Sequence, residues 1–363
     1  MKDESKSLKR KLASRAGPNP RPLPETGRGA IPRALALLAI GSVSISLAGA
    51  APTTAPITTI HLPALSAAQQ ALANTSHSPA VRAAYPFDYA RGHRLFVPCP
   101  IRGSMVEINT RKNKIVAVVS GLPQIHGIAL ARGLGWASCG AADGIGEIDL
   151  IHPHLIRMIP AGSGPSTALW DEAARLVYVG DHAGKMARLL NPETRKVVAT
   201  IPLGGEAAQA QVDTRSGLVY QNLEDTSEVV VVDPKKRRVV KRFSTGPGQH
   251  PTGLALDAYG RSLFCACANQ KLVAIDRRSG HVIATLPIGT GAHSVAYDPG
   301  NRRVYAASSG SNEIVVIRQQ RGERFTVVGN IPVHQPVYAI GVDPNTDSIY
   351  AIGSGEIDVL NPR

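Results

Sequence analysis

One pattern is written seven times along this chain at a nearly constant spacing, and that spacing leaves few folds open. It is clearest in residues 251–289, where four short apolar runs (253–256, 262–266, 272–275 and 282–286) are separated by Gly, Asn and Asp. Runs of this length, rich in β-branched and aromatic residues and bounded by turn formers, read as strands. No helical 3.6-residue period crosses them. The second run of each copy carries an aromatic residue: Phe96, Trp136, Tyr178, Tyr220, Phe264, Tyr305 and Tyr350, in steps of 40, 42, 42, 44, 41 and 45 residues. The third run ends at Asn109, Asp149, Asn191, Asp233, Asp276, Arg318 and Asn361, in steps of 40, 42, 42, 43, 42 and 43. Two anchors at one period, with four strands per period, predict an all-β fold: a seven-bladed β-propeller of four-stranded blades.

Composition agrees with one large domain. The chain has 363 residues, 43% of them apolar and 18% charged, enough to bury a sizeable core. The copies DEAARLVYVGD (171–181), DTRSGLVYQN (213–222) and DPGNRRVYAASSGSNEIVVI (298–317), with VVATIPLG (197–204), resemble the YVTN repeat of YncE-like propellers. The resemblance covers about residues 85–363 and is specific for fold. For function it implies little, because such propellers host several activities. The second copy departs most, with Ala131 in place of the usual Asp and Gly-Leu-Gly-Trp in place of Arg-Val-Tyr.

Ahead of the repeats, residues 1–33 are polar and basic, and residues 34–48 form an apolar run of 15. That run is short for a membrane span and ends in Ala48-Gly49-Ala50, the small-x-small pattern of a signal-peptidase site. Residues 1–50 therefore read as a signal peptide, with an uncleaved anchor as the alternative. The expected compartment is periplasmic or extracellular. Cleavage would remove nine basic and three acidic residues, leaving 31 Lys+Arg against 24 Asp+Glu, a net charge of +7 instead of +13. The basic composition is thus poor evidence for a nucleic-acid partner.

Residues 51–84 divide into a strand and an insertion. Thr58-Thr59-Ile60-His61-Leu62-Pro63 matches the ends of the fourth runs, Ile159-Pro160, Ile201-Pro202, Leu286-Pro287 and Ile331-Pro332. The seventh copy, in 85–363, has no fourth run of its own, so residues 57–63 are expected to supply that outer strand and close the ring. Pro suits an outermost strand, where one N–H lacks a ladder partner. The step from this Pro to the next inner strand is twenty residues (63 to 83), against six at 160, 202, 287 and 332. Residues 64–73 of the insertion read as a short helix, whose Leu65, Ala68 and Leu72 would bury one face as a partial lid.

Sorting residues by turn sorts them by face. The fourth-to-first and second-to-third connections share one face, the usual ligand mouth of a propeller. The candidates there are Gln124, His126, Ser166, Asp181, His182, His250, Thr252, His293 and Tyr338. No HxH or HxxxH pair occurs among them, so no metal set and no cofactor is expected, and CxxCH for haem is absent. The four cysteines recur at equivalent positions in different blades and are expected to be free core residues. The other face is basic: Lys235, Lys236, Arg237, Arg238, Arg277, Arg278, Arg302 and Arg303 lead its cations. They are either solvated turn residues or a surface for a polyanion, and aromatic residues for base stacking are missing from these turns as read. There is no GxSxG and no phosphate loop. The expected protein is a monomeric, exported binding or scaffold module, taking a small ligand or a protein at the mouth. A hydrolase or lactonase at the same mouth, or polyanion binding by the basic face, is the alternative.

Overall fold

Alternation along the second strands decides the architecture. In Arg94–Cys99, Leu95, Val97 and Cys99 turn to one side and Phe96 to the other, yet all four are buried. A sheet apolar on both faces needs a neighbour on both faces, and a ring of blades provides one. The computed structural model describes residues 58–75, 89–90, 92–343 and 345–361. These residues form seven four-stranded antiparallel sheets, the expected seven-bladed propeller. Blades 1 to 6 span residues 89–120, 125–160, 165–202, 207–244, 251–287 and 292–332, each running from inner to outer strand in sequence order. Blade 7 has Ala339–Asp343, Ser348–Ile352 and Glu356–Leu360 as its first three strands. The expected leader, residues 1–50, lies outside the described residues, as do residues 76–88, which include the end of the insertion, and Arg91. Among the described residues no helix is long and apolar enough to cross a membrane.

The core is divided seven ways, one apolar cluster for each interface between successive blades. Every anchor aromatic packs into the cluster shared with the following blade. Phe96 meets Leu122 and Ile128, Trp136 meets Ala168 and Val177, and Tyr350 meets Leu95 and Val97 across the closure. The aromatic period is therefore a packing period, one ring wedged into each gap. The cysteines face the preceding blade: Cys99 toward blade 7, Cys139 toward blade 1, and Cys265 with Cys267 toward blade 4. All four are free and buried, and burial pushes the thiols of Cys99, Cys139 and Cys267 up to about 12.

The second sequence period has a different cause. Asn109, Asp149, Asn191 and Asp276 each end a third strand and accept hydrogen bonds from backbone N–H groups two and three residues on. These side chains hold the turn to the outer strand. The turn ends in the left-handed region, at Asn113, Arg195 and Arg237 among others. At Gly280 (φ +80) glycine is doubly required, because a Cβ would also collide with the Phe243 ring.

Ring closure is non-covalent. Thr58–His61 pairs antiparallel with Glu356–Leu360, Thr58 opposite Val359 and His61 opposite Glu356, as the outer strand of blade 7. Ile60 and Leu62 enter the cluster between blades 7 and 1. Arg102, in the second-to-third turn of blade 1, donates to Pro63 O (2.8 Å) and Ser354 O (2.5 Å), tying the closing segment to both blades. The strand ends at His61, two residues before the expected Pro63, and residue 57 lies outside the described residues. The helix of the insertion spans Ala67–Thr75, three residues later at its start than expected. A capping box sets that start: Ser66 N donates to Gln69 Oε1 and Gln69 N donates to Ser66 Oγ. Ala68 is exposed and Leu65 half-buried, so the expected apolar face is not fully covered. Gln69 Nε2 donates to Arg102 O at 2.8 Å, which anchors the helix over blade 1's turn.

Candidate functional site

The inner strands of blades 2 to 7 enclose a channel cavity of about 200 Å³, lined by residues 127–128, 167–169, 209–211, 255–256, 295–297 and 340–342. Strands converge here on their narrowest ring, so polar side chains at their heads are close enough to bond the next blade. Ser166 Oγ donates to Ala207 O (2.7 Å) and Thr252 Oγ1 to Ala292 O (2.9 Å). Gln209 Oε1 accepts from Leu254 N, Gln211 Nε2 donates to Leu254 O, and Asn222 Nδ2 donates to Gly253 O. Two of the mouth candidates, Ser166 and Thr252, thus spend their hydroxyls stapling neighbouring blades. Asp181 is spent as well: fully buried, it accepts from Ser163 N, Gly184 N and the Arg188 guanidinium.

What remains at the mouth is a charged group on blades 3 and 4. His182 Nε2 lies 3.7 Å from Glu224 and 4.0 Å from Glu206. Lys185 Nζ lies 3.4 Å from Glu206 and 2.7 Å from Asp225, whose other oxygen accepts from Glu206 N. All five belong to the connections flanking one blade boundary, which explains why a spacing search along the chain does not join them. Pairing with Glu224 holds the His182 imidazole above its ordinary value; burial opposes this, and the charges of Glu206 and Asp225 add to it. His293, on blade 6, is shifted the other way: burial pushes it down, and the charge of Glu224 opposes that. Glu224 therefore acts on an imidazole of blade 3 and on one of blade 6.

The remaining candidates are placed singly or in pairs. His293 and Tyr338 stack loosely, ring centroids 6.2 Å apart. His126 is buried, beside Gln124 across Gly140. His250 is exposed, in the left-handed region, with its N–H donating to Ser227 Oγ. The structure thus joins His182 to Glu206, Glu224, Lys185 and Asp225, and His293 to Tyr338. The histidines themselves form no triad. The carboxylate Glu224 and the ion pair of Lys185 with Asp225 were missed in the sequence, where isolated acids in turns carry no signal.

On the opposite face much of the expected cationic ring is internally paired. Arg277, with a side chain only 13% exposed, lies 2.5 Å from Asp213. Arg195 and Arg157 converge on the fully buried Glu147. Arg303 acts on Tyr305. Lys236 pairs with Asp233 at 3.2 Å, while Lys235, Arg237, Arg238, Arg278 and Arg302 are exposed. The expectation that these turns lack aromatic residues is corrected at Tyr259, 74% exposed in the first-to-second turn of blade 5. Arg215 lies over its ring at 4.9 Å, and a cleft of about 670 Å³ opens beside it between Tyr297, Arg302 and Arg321. The aromatic was overlooked because it lies off the repeat's anchor positions.

No family model matches the chain, and no curated protein matches it. Among solved structures it is similar to a chain of Kuenenia stuttgartiensis hydrazine synthase, with a TM-score of 0.66 and 14% sequence identity. The match covers 79% of this chain and 98% of that one. At that identity the likeness shows a shared fold and carries no ligand across. The likeness to YncE-like propellers rests on the repeat sequence alone.

Proposed function

We propose that the chain is an exported, YncE-like propeller acting as a binding module, with its ligand site at the mouth formed by blades 3, 4 and 6. The observation that carries this is the position of Glu224, paired with His182 and acting on His293, above a channel where the hydroxyls of Ser166 and Thr252 are bonded to neighbouring blades. Polar groups not consumed by the scaffold are the ones a ligand can use. A site with an imidazole, carboxylates and a lysine suits a small polar ligand bound by charge-assisted hydrogen bonds. Hydrolase or lactonase chemistry has weaker support, because among the described residues the mouth histidines do not converge on one point. Export is favoured by the apolar run 34–48 and its Ala48-Gly49-Ala50 ending.

A second reading, polyanion binding by the basic face, is favoured by the exposed Tyr259–Arg215 pair beside Arg302 and Arg321. One experiment separates the two. The protein is titrated with a small-molecule extract of its own source and, separately, with heparin, while histidine ring resonances and the Tyr259 ring are followed by NMR. Shifts at His182 and His293 that vanish in Glu224→Gln support the mouth. Shifts confined to Tyr259, on heparin alone, would transfer function to the other face.

A further inference from the structure

Several buried carboxylates of this fold are paired with an arginine. Glu107 has Arg94, Glu147 has Arg157 and Arg195, Asp181 has Arg188, and Asp213 has Arg277. Asp358 has a different partner. It is 1% exposed, and the group within ion-pair distance of it is the imidazole of His334, Nδ1 to Oδ2 at 3.3 Å. Its other oxygen, Oδ1, accepts from Thr59 Oγ1 at 2.9 Å. Glu356, two residues earlier on the same strand, turns to the same side, and Ile357 and Val359 between and beyond turn into the core with blade 1. His334 Nε2 bonds Glu356 Oε1, and the ligand atoms of His334, Glu356 and Asp358 all lie within 4.8 Å of one another. His61, paired opposite Glu356 on the closing strand, brings Nδ1 to 3.3 Å from Glu356 Oε2.

We propose that His61, His334, Glu356 and Asp358 form a binding site for a divalent transition metal of the zinc class, which clips the closing strand to blade 7. Three separate segments deliver the donors: the strand Thr58–His61, the connection from blade 6 to blade 7, and the strand Glu356–Leu360. Two imidazole nitrogens and two carboxylates are a donor set that suits zinc and its neighbours better than magnesium or calcium, which favour all-oxygen sites. A dication would also offset the burial of Asp358, whose partners here are an imidazole and a hydroxyl. Thr59 holds the second oxygen of Asp358, which fixes the direction of the first, the usual work of an outer hydrogen bond at a metal site. His61 is 79% and His334 52% exposed at their side chains, so a hydrated ion has an entry path.

The site lies on the one blade built from both ends of the ring. A metal there binds the folded, closed form and not the open one, so it stabilises closure by mass action. The test uses the full chain, stripped with a chelator, and Co²⁺ as the probe. One equivalent of Co²⁺ should give visible d–d absorption that Zn²⁺ abolishes, and Zn²⁺ should raise the Tm by several degrees. The His334→Ala/Glu356→Gln double variant should lose both effects. His61→Ala, at an exposed position that leaves the core untouched, should melt like the wild type without metal and bind about 10–100-fold more weakly. No Co²⁺ uptake by the wild type, or uptake unchanged in the double variant, would overturn the assignment.

Discussion

Glu224 favours the charged form of two imidazoles, and at one of them burial outweighs it. By pairing with His182 it favours the charged imidazole, while burial favours the neutral form of His293. The raised His182 contributes stability that is complete below the unfolded value of about 6.5 and is lost as pH rises through its folded value. His293 has the opposite sign: its contribution is complete above the unfolded value and is lost as pH falls through the depressed one. Long-range ¹H–¹⁵N titration should find His182 titrating above, and His293 below, an ordinary histidine. Glu224→Gln should bring His182 down, and should lower His293 slightly further. Unchanged titration of both in the variant would remove Glu224 from the mouth's electrostatics.

At the scale of an element, the closing strand is the weak member of the ring. Four residues of ladder, two apolar side chains and the Arg102 clamp hold it, with no covalent link. Ile60→Ala should cost about 2–4 kcal/mol, as for other buried large-to-small changes. Arg102→Ala removes two charge-assisted bonds across the closure, and its loss should lower the Tm by several degrees. Calorimetry of both variants checks this. A transition unmoved in either would mean that blades 1 and 7 hold each other without the strand. The helix Ala67–Thr75 follows the same logic: its capping box and Gln69 fasten it to the blade 1 turn that carries Arg102.

For the whole molecule, the seven-way division of the core makes the cysteines reporters of individual interfaces. Cys99 belongs to the closure between blades 7 and 1, Cys139 to blades 1 and 2, and Cys265 and Cys267 to blades 4 and 5. Native protein should resist alkylation, since the thiols are buried and, at Cys99, Cys139 and Cys267, held up to about 12. Unfolded protein should take four labels. In pulsed alkylation through a denaturant gradient, Cys99 should react first, because its interface depends on the short closing strand. Simultaneous labelling of all four would show that the ring opens as one unit.

How much of this was legible along the chain depends on the range of the cause. The blades, their number and the closing strand came from periodic residues with local or nearest-blade roles. An aromatic at each second strand fills the next interface, an Asx residue holds the third-to-fourth turn in blades 1 to 5, and Ile60-His61-Leu62-Pro63 repeats the ending of an outer strand. Such residues recur because the same small packing problem is solved seven times. The site is not periodic. Ser166, Thr252 and Asp181 look like mouth residues in one dimension, and only the neighbouring backbone reveals that they are already hydrogen-bonded. Glu224, Asp225 and Tyr259 stand off the repeat and gain meaning from partners on other turns. The set of His61, His334, Glu356 and Asp358 spans nearly 300 residues of sequence. The sequence by itself determined a seven-bladed ring and the strand that closes it, because periodic burial is written residue by residue. Which polar groups are consumed by the scaffold, and which are left facing a ligand or an ion, was decided only when closing the ring brought distant turns within a few ångströms.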